Sequence, residues 1–327
     1  MSASPSEVDA ALAAVTAASR VCSAAQGRLA AGDTLTKSDD SPVTVADFAS
    51  QAVVCAELGE ALGEVLMIGE EDADDLRADT DSELLAAVTG LVRGQRERAS
   101  HLNVFEWIAK GTSADRTASL GRYWTLDPID GTNGFLRGDQ YAVALGLIDN
   151  GEVILGVLGC PNLLNPDGSR GAIFAAVEGS CEAFYGGLTD PVEIAVAPPS
   201  TVGEAKFCES VESGHSDQSQ SQQVAELLGI SSEPLRIDSQ CKYGAVARGD
   251  ASIYLRLPTR SEYREKIWDH AAGKFIVEQA GGRVTDVTGV PLDFAHGARL
   301  EDNSGVVATS GTIHDDVIAA VRQVLGV

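Results

Sequence analysis

Two apolar runs, YAVALGLI and EVILGVLGC, are separated by Asp149-Asn150-Gly151. Asn-Gly between apolar runs is a strong signal for a tight β-hairpin, because both central positions of the favoured turn need positive φ. GAIFAAVEG and SCEAFYG read as a second hairpin. The middle of the chain is thereby committed to antiparallel strands. Just upstream, an apolar run from Tyr123 to Leu126 stops at Asp127, and Pro128, Ile129, Asp130, Gly131 and Thr132 follow. Two carboxylates at the end of a buried strand are costly unless something compensates their charge.

Before this motif the chain reads as helical. Residues 6–30 are Ala-rich, with Val8, Leu12, Val15 and Val21 near helical spacing. A second helix opens at Thr44 or Asp47 and runs through FASQAVVCAELGEAL to Gly63. EVLMIGEED follows as a strand entering an acidic turn, and residues 83–98 suggest another helix, whereas 99–121 carry no pattern. Beyond APPSTVGEA (197–205) the chain alternates: strand AKFCESV, helix SQQVAELLG, strand LRIDS, helix KYGAVARG, strand ASIYLRLP, helix DHAAGKFIVEQAGG, strand RVTDVTG, and a last helix from about Thr312. The expected division is an N-terminal α+β domain, 1–196, with a large antiparallel sheet, and a C-terminal α/β domain, 197–327.

The balance of 24 Lys+Arg against 48 Asp+Glu, net −24, excludes a basic surface for a phosphate polymer, so no nucleic-acid partner is expected. No apolar run approaches the ~18 residues that span a bilayer, and the N-terminus lacks a secretory pattern. No membrane partner is expected. Six cysteines without a C-x-x-C pair read as reduced, mostly buried thiols. The expected state is a cytoplasmic monomer, or an organellar one reached by a transit peptide outside this sequence.

The Pro-Ile step between Asp127 and Asp130 forces a turn, so both carboxylates can face one point, and it frees the Ile129 carbonyl. Hard cations such as Mg²⁺ take oxygen ligands of this kind. Gly131 and Thr132 then offer backbone N–H groups at an expected helix start, an arrangement suited to phosphate. Other acids stand at the ends of apolar elements: Asp47 in SPVTVADFA, Glu70 and Glu71 after VLMIG, and Asp269 after Trp268. Each alone has a structural alternative. Asp47 and Asp269 could serve as helix caps or first-turn acids, and Glu70-Glu71 as a solvated turn. Together, in so acidic a chain, they favour a metal site.

DPIDGT behind an apolar strand, GEE upstream, and WDHAAG followed by EQAGG downstream resemble the lithium-sensitive, magnesium-dependent phosphomonoesterase superfamily. That group includes inositol monophosphatases, inositol polyphosphate 1-phosphatases, fructose-1,6-bisphosphatases and bisphosphate nucleotidases. The resemblance spans nearly the whole chain. DGTNGFLRGDQYAVALGLI, VESGHSD, IDSQCKYGAVARG, IYLRLP and EKIWDHAAG are most similar to the bisphosphate nucleotidase branch.

The resemblance implies a layered α-β-α-β-α sandwich and two or three Mg²⁺ ions. It implies Glu70, Asp127, the Ile129 carbonyl, Asp130 and Asp269 as metal ligands. It implies Asp47 with Thr132 as the pair that orients the attacking water, with Glu71 assisting. Gly131 and Thr132 become phosphate contacts, and His215, Ser239, Lys242 and Arg256 a nucleotide pocket. Read without it, His215 is a loop or cap residue and Lys242 a solvent-facing helix residue; Arg256, which interrupts an apolar strand, points to function. Asn133 departs from the Lys expected in many relatives. The activity implied is hydrolysis of the 3′-phosphate of adenosine 3′,5′-bisphosphate, and also of 3′-phosphoadenosine 5′-phosphosulfate. The alternatives are an inositol polyphosphate 1-phosphatase or a non-catalytic metal or nucleotide sensor.

Overall fold

The computed structural model describes residues 2–28, 34–36, 42–73, 83–111, 121–211, 218–260 and 262–327. Its largest sheet has seven strands in chain order: β3 (Met67–Gly69), β4 (Arg122–Asp130), β5 (Ala142–Asp149), β6 (Glu152–Leu164), β7 (Arg170–Val177), β8 (Ser180–Tyr185) and β9 (Val192–Glu193). Only β3–β4 is parallel; the rest are antiparallel neighbours. Both expected hairpins form. At the β5–β6 turn Asn150 and Gly151 have φ of 52° and 84°, as the Asn-Gly signal requires. A short two-stranded pairing, β1 (Thr34–Thr36) with β2 (Pro42–Thr44), lies outside this sheet.

The second sheet contains β10 (Phe207–Glu209), β11 (Leu235–Arg236), β12 (Ile253–Arg256), β13 (Arg283–Thr285) and β14 (Val306–Thr309), in the order β11-β10-β12-β14-β13. β14 sits between β12 and β13 and is antiparallel to both, although the sequence pattern had offered no strand there. Its four residues are all buried, so no polar alternation marks them.

Helices complete five layers, the α-β-α-β-α sandwich expected. α1 (Pro5–Gln26) and α2 (Val45–Leu62) cover the outer face of the large sheet, with α3 (Glu83–Val92) and α4 (His101–Ile108) against α2. α4 falls where no pattern was read; its signal is a capping box, Ser100 with Asn103. α1 is long and apolar enough to cross a membrane by length and composition, but its Ala11, Ala14, Val15, Ala18 and Cys22 are buried in the core. The six-residue α5 (Thr132–Arg137) follows β4. α7 (Cys241–Ala247) and α8 (Ala271–Gln279) form the middle layer between the sheets. α6 (Gln218–Leu228) and α9 (His314–Leu325) cover the far face of the second sheet.

The middle layer packs unusually close to the large sheet. A Cβ on Gly156 of β6 would lie 2.7 Å from the Ala272 carbonyl oxygen, and one on Gly146 of β5 would lie 3.2 Å from Ala271 Cβ. The missing side chains let α8 lie almost on the strands. All six cysteines are buried free thiols.

His314 ties α9 to the second sheet. Its ring nitrogens meet Thr285 Oγ1 and Thr309 Oγ1, each at 2.9 Å. Burial, and secondarily nearby Arg283, pulls its pKa from 6.5 to about 4, with Asp315 acting in the opposite sense. The folded state therefore favours the neutral ring. Stability contributed by this site is complete above the unfolded value and is lost as pH falls from 6.5 towards 4. The expected loss is about 3 kcal/mol at most, and His314→Gln should flatten that part of a denaturant-unfolding pH profile.

Candidate active site

The end of β4 is irregular. It pairs with β5 in step through Asp127↔Ala144, then shifts so that Asp130 faces Ala142. Pro128 and Ile129 together oppose the single Val143, so the bulge holds one extra residue. Ser50 on α2 donates its hydroxyl to the Pro128 carbonyl at 2.8 Å, and Thr132 Oγ1 donates to the Ile129 carbonyl at 3.3 Å. Asp127 is buried, and Asp130 accepts the Gln240 backbone N–H from the far side of the cleft.

The parallel edge strand supplies the next acids. Gly69 pairs with Leu126, and Glu70 N donates to the Leu126 carbonyl at 3.1 Å, which seats Glu70 beside Asp127. Glu71 is held through its backbone by the buried Gln51 amide. Gln51 Nε2 donates to the Glu71 carbonyl at 2.7 Å and to that of Ile108 at 3.0 Å, and Oε1 accepts from Glu71 N at 3.3 Å. Asp47 lies one turn before Gln51, in the first turn of α2, and is 2% exposed. Asp269 ends a short 3₁₀ turn, Ile267–Asp269, just ahead of α8.

The opposite wall comes from the second half of the chain. Gly131, with φ of 84°, caps α5, and a Cβ there would lie 2.7 Å from Ser239 Cβ. Ser239 itself has positive φ, 65°, and its hydroxyl accepts the Cys241 N–H at 3.2 Å. Lys242 is only 4% exposed rather than solvent-facing; its Nζ donates to Ser210 Oγ at 3.1 Å and lies 5.1 Å from the Tyr254 ring centroid. Arg256, the last residue of β12, donates from Nε to Glu265 at 2.8 Å and approaches Asp269 at 3.4 Å.

One cavity of about 250 Å³ collects these residues. Asp47, Glu70, Glu71, Asp127, Ile129, Asp130, Gly131, Thr132, Ser239, Lys242, Arg256 and Asp269 all line it. His215 lies outside the described residues. Asn133 lines the cavity too, as do Arg137, Ser210, Asp238, Gln240 and Tyr254, which sequence reasoning did not single out. Arg137 is paired to Asp238, whose other oxygen accepts Val211 N–H at 3.0 Å. An arginine ending the GFLR helix and an Asp just beyond a short strand were the available signals.

The electrostatics call for a cation. Burial, reinforced by Glu70, Asp130 and Asp269, drives the Asp127 carboxyl well above its ordinary value. Asp269 is pushed up to about 6, by burial first and against the attraction of Arg256 and His270. Asp127 Oδ1 is buried and has no hydrogen-bond partner. An orphaned carboxylate oxygen among mutually repelling acids fits a hard divalent cation, whose ligands are such oxygens. Glu265, Asp269 and His270 also cluster closely enough to hold an ion, but Glu265 and His270 bond each other at 3.2 Å, and of the three only Asp269 lines the cavity. Lys242 bears the opposite strain: burial lowers its pKa, offset in part by Asp130.

The model of the inositol monophosphatase family matches residues 4–325. The chain is 42% identical to the 3′(2′),5′-bisphosphate nucleotidase of Emericella nidulans, covering 89% of this chain and 91% of the relative. It is equally identical to proteins of the same name from Schizosaccharomyces pombe, covering 90% and 87%, and from Oryza sativa, covering 98% and 94%. Among solved structures, an IMPase from Thermotoga maritima superposes with a TM-score of 0.66 at 21% identity, covering 98% of both chains. CysQ from Bacteroides thetaiotaomicron gives 0.59 at 20% identity, covering 93% and 97%. With its fold and nearly its full length matched, the chain belongs to the inositol monophosphatase family.

Proposed function

We propose that this enzyme hydrolyses the 3′-phosphate of adenosine 3′,5′-bisphosphate to give AMP and phosphate, and acts also on 3′-phosphoadenosine 5′-phosphosulfate. Relatives at 42% identity over most of the chain carry the corresponding name. The observation that carries the reading is charge arrangement. A ring of carboxylates suited to cations and one phosphate faces Lys242 and Arg256, two cations available to a second anionic group. Among the described residues no carboxylate lies within ion-pair distance of Lys242, so its buried charge calls for an anionic ligand.

Glu70, Asp127, the Ile129 carbonyl, Asp130 and Asp269 hold two or three Mg²⁺ ions in this reading. Bound there, Mg²⁺ supplies charge neutralisation on the phosphate and acidifies water. Asp47, with Thr132, orients the attacking water and receives its proton; Glu71 assists from its clamped backbone. Water's oxygen bonds to phosphorus, the bond from phosphorus to the ribose O3′ breaks, and the departing oxygen takes a proton. Backbone N–H groups of Gly131 and Thr132 steady the transferred phosphate, while Lys242, as a point charge, and Arg256, as a planar fork, hold the retained one. Ser239 completes the nucleoside side.

Phosphate release with Mg²⁺, compared on adenosine 3′,5′-bisphosphate, inositol 1,4-bisphosphate and inositol 1-phosphate, tests this. A strong nucleotide preference, with inhibition by millimolar-range Li⁺, is expected. Turnover of inositol phosphates alone would retain the metal site and discard the nucleotide pocket. No turnover of any would favour a sensor.

A further inference from the structure

Glu265 lies outside the cavity but grips a side chain inside it. Its neighbours Arg264 and Lys266 make the stretch look like a solvated charge run, yet Glu265 is 5% exposed. Its carbonyl accepts Leu300 N–H at 2.9 Å, and Lys266 forms an isolated antiparallel bridge with Arg299, so the segment is pinned along its length. The carboxylate Oε2 accepts Arg256 Nε–H at 2.8 Å and stands 3.2 Å from His270 Nε2.

Behind it the chain of contacts continues. His270 is fully buried, and its Nδ1 is 2.7 Å from Tyr243 Oη. The carboxylate can only accept, so His270 donates from Nε2, and in the neutral ring Nδ1 accepts the hydrogen bond of the Tyr243 hydroxyl. The Tyr243 ring meets the Tyr254 ring edge-on at 5.0 Å, and a Cβ on Gly273 would lie 2.1 Å from it. Glycine at 273 is what admits the ring. Tyr243, His270 and Glu265 thus form a buried, satisfied series ending on Arg256.

Two carboxylates flank the Arg256 guanidinium, Glu265 through Nε and Asp269 at the longer 3.4 Å from Nη2. Without Glu265, the attraction of Asp269 would draw the guanidinium onto a carboxylate of the acidic cluster. We propose that Glu265 is a positioning residue for the second-anion subsite: by holding the Nε edge it keeps Arg256 off Asp269 and presents its remaining N–H groups to the retained phosphate. This rests on the nucleotidase reading above.

The test is Glu265→Gln, with kcat/KM measured on adenosine 3′,5′-bisphosphate and on adenosine 3′-monophosphate, which lacks the second phosphate. The preference for the bisphosphate should fall by at least about tenfold, carried by KM, the scale of one charge-assisted hydrogen bond. Added to Arg256→Ala, the substitution should lower the preference no further. Equal losses on both substrates, or an unchanged preference, would overturn the role of Glu265 alone. A wild-type enzyme with no bisphosphate preference would overturn the nucleotidase reading and this role with it. Should the glutamine variant not fold, Tyr243→Phe decides: a several-fold lower preference supports the series, and an unchanged one overturns it.

Discussion

Asp127→Asn should abolish turnover and at the same time make the metal-free protein harder to unfold. The carboxyl is buried, repelled by Glu70, Asp130 and Asp269, and titrates well above its ordinary value. A raised carboxyl pKa means that the folded state holds its proton more tightly than the unfolded chain. Stability from that site is therefore present at low pH and lost as pH rises through the folded value, so at neutral pH the empty cluster is strained. An amide of the same shape removes the repulsion, worth about 1–2 kcal/mol in denaturant unfolding with chelator present. In wild type, Mg²⁺ at a hundred times its Kd should add about 2.7 kcal/mol. The variant should lose most of that increment and at least about a thousandfold in kcat, or ~4 kcal/mol of barrier. A variant no more stable than wild type in chelator would show that the cluster carries no strain; normal turnover would remove Asp127 from the metal set.

Asp47→Ala should separate chemistry from metal binding. Asp47 lines the cavity from the first turn of α2, whereas the proposed metal ligands come from the ends of β3 and β4 in the large sheet and the turn before α8. Loss of its carboxylate should lower kcat by about 10²–10⁴-fold, the usual worth of a positioned base. The Mg²⁺-dependent rise in stability should persist. Retained activity would take Asp47 out of the mechanism, and loss of the metal-induced rise would make it a ligand instead.

The acids of the cleft were legible as a set: each alone has a structural alternative, but so many acids at the boundaries of apolar elements in so acidic a chain favour a metal site. Asp127 and Asp130 flank a bulge that Pro128 makes unavoidable, and Glu70 terminates an edge strand. What supports them was not legible. Gln51 sits in an Ala- and Val-rich helix, and only the fold brings Glu71 and Ile108 to its amide. Glu265 is disguised by charged neighbours, and Lys242 was legible through the family resemblance but not from its short helix, which alone reads as solvent-facing. β14 escaped because a four-residue, fully buried strand carries neither alternation nor length. Local patterns report which residues end an element; they do not report which distant backbone will need a partner.

The glycines beneath α8 place a different kind of demand on the chain. Asp269 immediately precedes that helix, and the depth of the helix in the sheet is set where Gly146 and Gly156 meet Ala271 and Ala272. The position of a cleft carboxylate therefore depends on two residues that have no side chain to take part in catalysis. A methyl added to either would push on α8 and so shift a carboxylate it never touches.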